Sequence, residues 1–237
     1  MALPKISYPT ITIVNPADKK SYQFRPMLVK EEKLLLMAKQ SDDQTDILAA
    51  VKQVVNNCSL DSTFDIDKLP LYALEYFFIR LRGFSVGDEI KVSYRDLEDN
   101  KIYDFDVDLK KVEIKYPENV DNKIAITDKS GIVMRYPSAS IYSDKVFLNS
   151  EGDESFYRLI VRCIDQIYDG DAVYEGSEFT EDDILEFIEL MDIKTFEKVR
   201  EFMSNLPTLY YKLDYKNEMG KDKKIELTTL SDFFTLR

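Results

Sequence analysis

The chain has 237 residues, 44% of them apolar, enough for one large domain or two small ones around a real core. Its formal charge of −12, from 44 acidic and 32 basic residues, argues against long-range attraction to phosphate backbones or anionic lipid and favours basic protein surfaces as partners. Histidine is absent, which removes the commonest proton carrier near neutral pH and the commonest metal ligand, and with them many enzyme classes.

The opening "MALPKISYPTITIV" has no basic segment leading into an apolar one, and no run approaches the roughly 20 apolar residues that cross a bilayer. A soluble, unexported chain is expected. "TITIV" and "SYQFR" read as strands around the turn "NPADKK", where Asn15 and Pro16 are turn formers. Pro26 ends the strand pairing, and from Val29 the pattern turns helical: Leu34, Leu35, Met37 and Ala38 recur at helical spacing, with Lys30 to Lys33 as a solvated first turn. "SDDQ" predicts a second helix start, Ser41 and Gln44 forming a capping box and Ile47, Leu48, Val51, Val54 and Val55 its apolar face. Cys58 and Cys163 sit in helical patterns and read as reduced, buried small hydrophobes.

A third helix is predicted from about Asp67 to Arg82, with Pro70 in its first turn and Gly83 at its exit. It is apolar almost all round, Leu71, Leu74, Phe78 and Leu81 on one stripe and Tyr72, Tyr76, Phe77 and Ile79 over the rest, so it buries more than one face. Residues 88 to 137 alternate apolar with polar and predict an antiparallel sheet solvated on one side. Helical spacing returns over residues 153 to 169, "YDGDAVYEGSEFTEDD" reads as a helix end, a turn and a helix start, and Thr180 with Asp183 forms another capping box before a run that breaks near Asp192. Two strands around a polar turn containing Gly220 close the chain, followed by a short "SDFF" tail. The expected fold class is α+β: a helical N-terminal region, central antiparallel β-hairpins, and a helical C-terminal region closed by a terminal β-hairpin. By segment this divides as 1–83, 84–137 and 138–237, packed as one or two domains.

Few residues fall in a pattern that carries chemistry. Asp96, Glu98 and Asn100 match the first positions of a calcium loop, but Lys101 replaces the required glycine and Val107 the bidentate glutamate. Asp104, Asp106 and Asp108 alternate on one strand face and read as solvated, with Phe105 and Val107 on the buried side. Phosphate-cradling loops, nucleophile elbows and C-x-x-C pairs are missing, as is the interleaving of aromatic with basic residues that single-strand binders use. Paired carboxylates need not be adjacent in sequence, so a carboxylate-pair hydrolase stays as a third reading.

Several segments occur together in order: "ALPK" with "FRPMLVKEEKLLLMA", "DKLPLYALEYFFIRLRGFSVGD", "NKIAITDKSGIVMRYPS" and "CIDQIYDGDAVYEG". Together they resemble the baseplate hub assembly family of T4-like contractile-tailed phages over nearly the whole chain. The resemblance implies a non-enzymatic assembly factor, a chaperone for baseplate hub or tape-measure components, in the host cytoplasm. The alternative is a permanent structural subunit of the hub in the virion. Neither nucleic acid, membrane, cofactor nor metal is implied as a partner. Many members carry C-x-x-C in the last hairpin and some a cysteine in the first middle hairpin. This chain has Lys216 and Met219 at the former place and "YRDLEDNKIYDF" at the latter, so the four ligands of a structural zinc site are lacking. The two hairpins are expected to pack side by side regardless. Client contacts are expected at apolar helix positions Leu34, Leu35, Phe77 and Phe78 and at the tail residues Phe233 and Phe234.

Overall fold

The structure, a computed structural model, describes residues 7–41, 44–118, 120–143 and 152–233. It is α+β, with every strand pairing antiparallel. Packing divides the chain into two compact units, and the division does not follow chain order: residues 1–115 join 208–237, while residues 116–207 form the second unit.

In the first unit, β1 (Ile11–Val14) and β2 (Ser21–Phe24) form a hairpin, followed by α1 (Val29–Gln40), α2 (Gln44–Cys58) and α3 (Leu71–Val86). Helix α3 is the central core element: Tyr72, Ala73, Leu74, Phe77, Phe78, Ile79 and Leu81 are all buried. Phe77 meets Phe24 and Phe64, ring centroids 5.4 and 5.2 Å apart, so aromatic edges tie the N-terminal hairpin to the helix. Pro70 caps α3 from outside, and the helix runs past Gly83 to Gly87, whose φ of +145° ends it. Gly83 is glycine for a different reason than a helix exit. A Cβ there would stand 2.9 Å from Asp88 Oδ1, so the side chain is missing where the chain folds back on the helix.

The expected central sheet is three separate pairings. β3 (Glu89–Arg95) and β4 (Ile102–Asp108) make a hairpin, and β5 (Glu113–Lys115) joins β10 (Thr208–Lys216), which pairs with β11 (Asp222–Leu227). β6 (Lys123–Ala125) and β7 (Ser130–Met134) belong to the second unit, in a four-stranded sheet with β8 (Ile164–Asp169) and β9 (Ala172–Glu175).

That sheet corrects the helical reading of 153 to 169. Helix α4 (Gly152–Cys163) stops at Cys163, and Ile164–Asp169 is a strand. Ile164 and Ile167 fit helical spacing, but β-branched residues beside β7 gain more from pairing with Ile132 and Met134. "YDGDAV" is accordingly a tight hairpin, Asp169 opposite Ala172, with Gly170 at φ +60°. Gly131 lies where Tyr168 Oη and the Ile124 carbonyl come too close for any Cβ.

Helices α5 (Glu181–Glu189) and α6 (Ile193–Ser204) cover the sheet, burying Ile184, Ile188, Val199 and Phe202 against Ile132, Met134, Ile160 and Ile164. Thr180 caps α5 as expected: its hydroxyl accepts from Asp183 N–H at 3.2 Å, and Asp183 accepts from Thr180 N–H at 3.0 Å. Asp192 breaks the run by capping α6, accepting from the N–H groups of Lys194 and Thr195. A last turn of helix, α7 (Leu230–Phe233), ends the first unit's described residues. Ser41 donates its hydroxyl to the Ala38 carbonyl at the end of α1; residues 42 and 43, between Ser41 and Gln44 of the expected capping box, lie outside the described residues.

Candidate interaction surfaces

The junction before α1 is built around a buried carboxylate. Pro26 and Leu28 hold the chain extended, so the first turn of α1 folds back over the end of β2. Lys30, Glu32 and Lys33 are solvated as expected of the first turn, but Glu31 lands inside, only 1% exposed, which corrects that expectation for this one residue. It accepts from Arg25 Nη1 at 3.2 Å, Arg25 Nη2 at 2.9 Å and Leu28 N–H at 2.9 Å. Arg25 also donates to the carbonyls of Pro26 and Asn57, joining the strand end, α1 and the end of α2. Burial pushes the Glu31 carboxyl up, but the Arg25 and Leu28 hydrogen bonds outweigh it and hold the group below the usual carboxylate range. The same burial pushes the neighbouring Cys58 thiol up to about 11, so it stays protonated and unreactive.

This clamp fixes which side of α1 meets water. Val29, Leu36 and Met37, at i, i+7 and i+8, share one face and are 65%, 53% and 69% exposed, with Lys33 among them. A docked helix normally turns such a stripe inward; here it is bare. Leu34 and Leu35 are half-buried on the flank. Phe77, Phe78 and Phe233, expected as contacts, are buried in the first unit's core and offer little surface in the chain alone. Phe234 lies outside the described residues. Sequence reasoning passed over Val29 and Leu36 because apolar periodicity marks a face without saying which way it points.

The two hairpins named above do pack side by side. Tyr215 packs against Tyr103 and Phe105, ring centroids 4.8 and 5.5 Å away. Asp96, almost fully buried, accepts from Glu98 N–H at 2.8 Å, Tyr215 Oη at 2.8 Å and Asn217 Nδ2 at 3.4 Å. Asp99 accepts from Tyr103 Oη at 2.6 Å and Glu218 N–H at 3.1 Å, and Glu98 pairs with Lys221 and Lys223. These bonds hold Asp96, Glu98 and Asp99 below their ordinary carboxylate values. The donor set does not fit zinc: no group of three or more metal-binding side chains occurs among the described residues, and the turns meet through carboxylates, amides and lysines. Asp104 and Asp106 lie exposed along β4, Asp104 accepting from Ser93 Oγ, and Asp108 accepts from Lys110 N–H. No helix among the described residues is long and apolar enough to cross a membrane.

A family model described as T4 bacteriophage base plate protein matches residues 8–235. No curated protein and no solved structure gives a match.

Proposed function

The chain belongs to the T4 bacteriophage base plate protein family, with a role in baseplate structure or assembly, and from that premise we propose that it is a non-enzymatic assembly factor that holds hub or tape-measure components while the tail baseplate is built. The observation that carries this reading is the bare apolar face of α1, Val29, Leu36 and Met37, which a clamp of Arg25 and Glu31 keeps turned outward. Burying such a face against a partner is favourable by about 25 cal/mol per Å² of apolar area, and the acidic remainder of the surface opposes indiscriminate association. Capture is stoichiometric, and no nucleophile, cofactor or proton carrier is needed for it.

The same face would serve a permanent hub subunit, where it would be covered in the finished particle. Mass spectrometry of purified, tail-complete particles separates the two. Absence of the chain supports an assembly factor that leaves, and abundance in fixed ratio to other baseplate proteins overturns that reading in favour of a subunit. Leu36→Asp with Met37→Asp is expected to leave the fold intact and to stop baseplate assembly; normal assembly in that variant would remove α1 from the contact surface.

A further inference from the structure

The hairpin of β1 and β2 has one engaged edge and one open edge, and hydrogen-bond parity identifies the groups left over. Asn15 N–H donates to the Lys20 carbonyl at 2.7 Å, so this pair is a hydrogen-bonded site. Counting back along the register, Ile13 with Tyr22 and Ile11 with Phe24 are sites of the same kind. Thr12 with Gln23 and Val14 with Ser21 therefore turn their N–H and C=O groups outward. The β2 side bears this out, because the Gln23 carbonyl accepts from Leu60 N–H at 2.8 Å. On the β1 side, no hydrogen bond takes up the outward groups of Thr12 or Val14 among the described residues.

A cavity of about 270 Å³ runs along this open edge, and all four residues of β1 line it. The face of a strand shows alternate residues, so four in succession mean that the backbone edge itself forms the wall. The rest of the lining is one face of α3, Tyr76, Ile79, Arg80 and Gly83, at i, i+3, i+4 and i+7, together with Asp88, Leu109 and Lys110. Its charges are engaged within the wall: Arg80 donates to Tyr76 Oη and to the Lys110 carbonyl, and Lys110 pairs with Asp88 at 2.6 Å. What the groove offers is a row of backbone donors and acceptors beside apolar side chains. It is small for a nucleotide or cofactor and suited to a short extended segment.

We propose that this groove receives one extended strand from another protein of the tail baseplate, adding to β1 as a third strand with apolar side chains at alternate positions. The proposal rests on the assembly role above and names a mode of partner recognition for it. A helix satisfies its own backbone and would leave Thr12 and Val14 unmet, whereas a strand meets them. A second copy pairing through its own β1 would bring its own α3 wall into a groove that holds a single strand.

The probe is a set of short synthetic peptides covering the other baseplate proteins of the same phage, titrated against the full chain with amide hydrogen exchange as readout. A binding peptide of alternating apolar pattern is expected to slow exchange at Thr12 and Val14. Thr12→Pro removes an outward donor and none of the bonds to β2, so it is expected to keep the melting temperature and to weaken that peptide by about tenfold or more. Val14→Pro is the second variant should the first fail to fold. Failure of every peptide to bind, binding with unchanged exchange at Thr12 and Val14, or binding indifferent to both prolines would overturn the proposal. So would protection of these amides in the chain alone through dimerisation, which would assign the edge to a second copy. Binding that survives Thr12→Pro but is lost on Leu36→Asp with Met37→Asp would leave the assembly role standing and remove this groove from it.

Discussion

Replacing Glu31 by alanine tests whether the buried pair with Arg25 holds α1 in place. Alanine deletes the acceptor of three hydrogen bonds, two from Arg25 and one from Leu28 N–H. Breaking a buried ion pair costs about 3–5 kcal/mol because the remaining charge loses its partner. Arg25 keeps the Pro26 and Asn57 carbonyls, so the loss should fall at the low end, about 3 kcal/mol, a large share of a domain's stability. Glu31→Gln retains an acceptor for Leu28 N–H and should lose about half as much. Arg25→Met alone leaves the buried carboxylate with only Leu28 N–H and, at 3.6 Å, the exposed Lys30 ammonium, and should be about as damaging as Glu31→Ala, while Arg25→Met with Glu31→Leu should return to within about 1 kcal/mol of the parent. Urea unfolding of the parent, Arg25→Met, Glu31→Leu and the double variant, followed by far-ultraviolet circular dichroism, gives the four free energies of the cycle. A loss below about 1 kcal/mol for Glu31→Ala, or additive single variants, would show that packing rather than the ion pair seats the helix.

Three further outcomes follow from titration and burial. Asp96, Glu98 and Asp99 are held below ordinary values of 3.8, 4.5 and 3.8, so their contribution is present above those values and lost as pH falls through the depressed ones. Acid unfolding monitored by tyrosine fluorescence should therefore shift to higher pH in Asp96→Asn, and an unmoved midpoint would count against the hairpin clasp. Glu75 is raised by burial from 4.5 to about 7, so the folded state binds the extra proton and loses stability as pH rises from about 4.5 to 7. Glu75→Gln should stabilise by about 3 kcal/mol at pH 8 and by nothing at pH 4, read as melting temperature against pH. Burial raises the thiols of Cys58 and Cys163 to about 11 and about 12, so alkylation in the native state should wait on unfolding; fast labelling at pH 8 would contradict their placement.

Local chemistry and alternation made much of the architecture legible in the sequence. The strands about "NPADKK", the cap at Thr180, the break near Asp192, the terminal hairpin through Gly220 and the α+β class follow from turn formers, capping side chains and period. Those signals act within a few residues, so no partner elsewhere in the chain is needed to read them. "YDGDAV" carried a hairpin signal too, but the helical spacing that runs from α4 into Ile164 and Ile167 masks it.

Tertiary structure decided what depends on the partner across space. It sends β5 to the terminal hairpin and β6 and β7 to a sheet with β8, although one alternating pattern runs through them all, because pairing is chosen by distant strands. It buries Glu31, which in sequence is one charge among several, because Arg25 lies within reach after the turn at Pro26. It packs Phe77, Phe78 and Phe233 inward while leaving Val29, Leu36 and Met37 in water, since a periodic stripe records that a face is apolar and not what covers it. The open edge of β1 lies in the same class: an unpaired backbone group has no signature in the side chains that carry it.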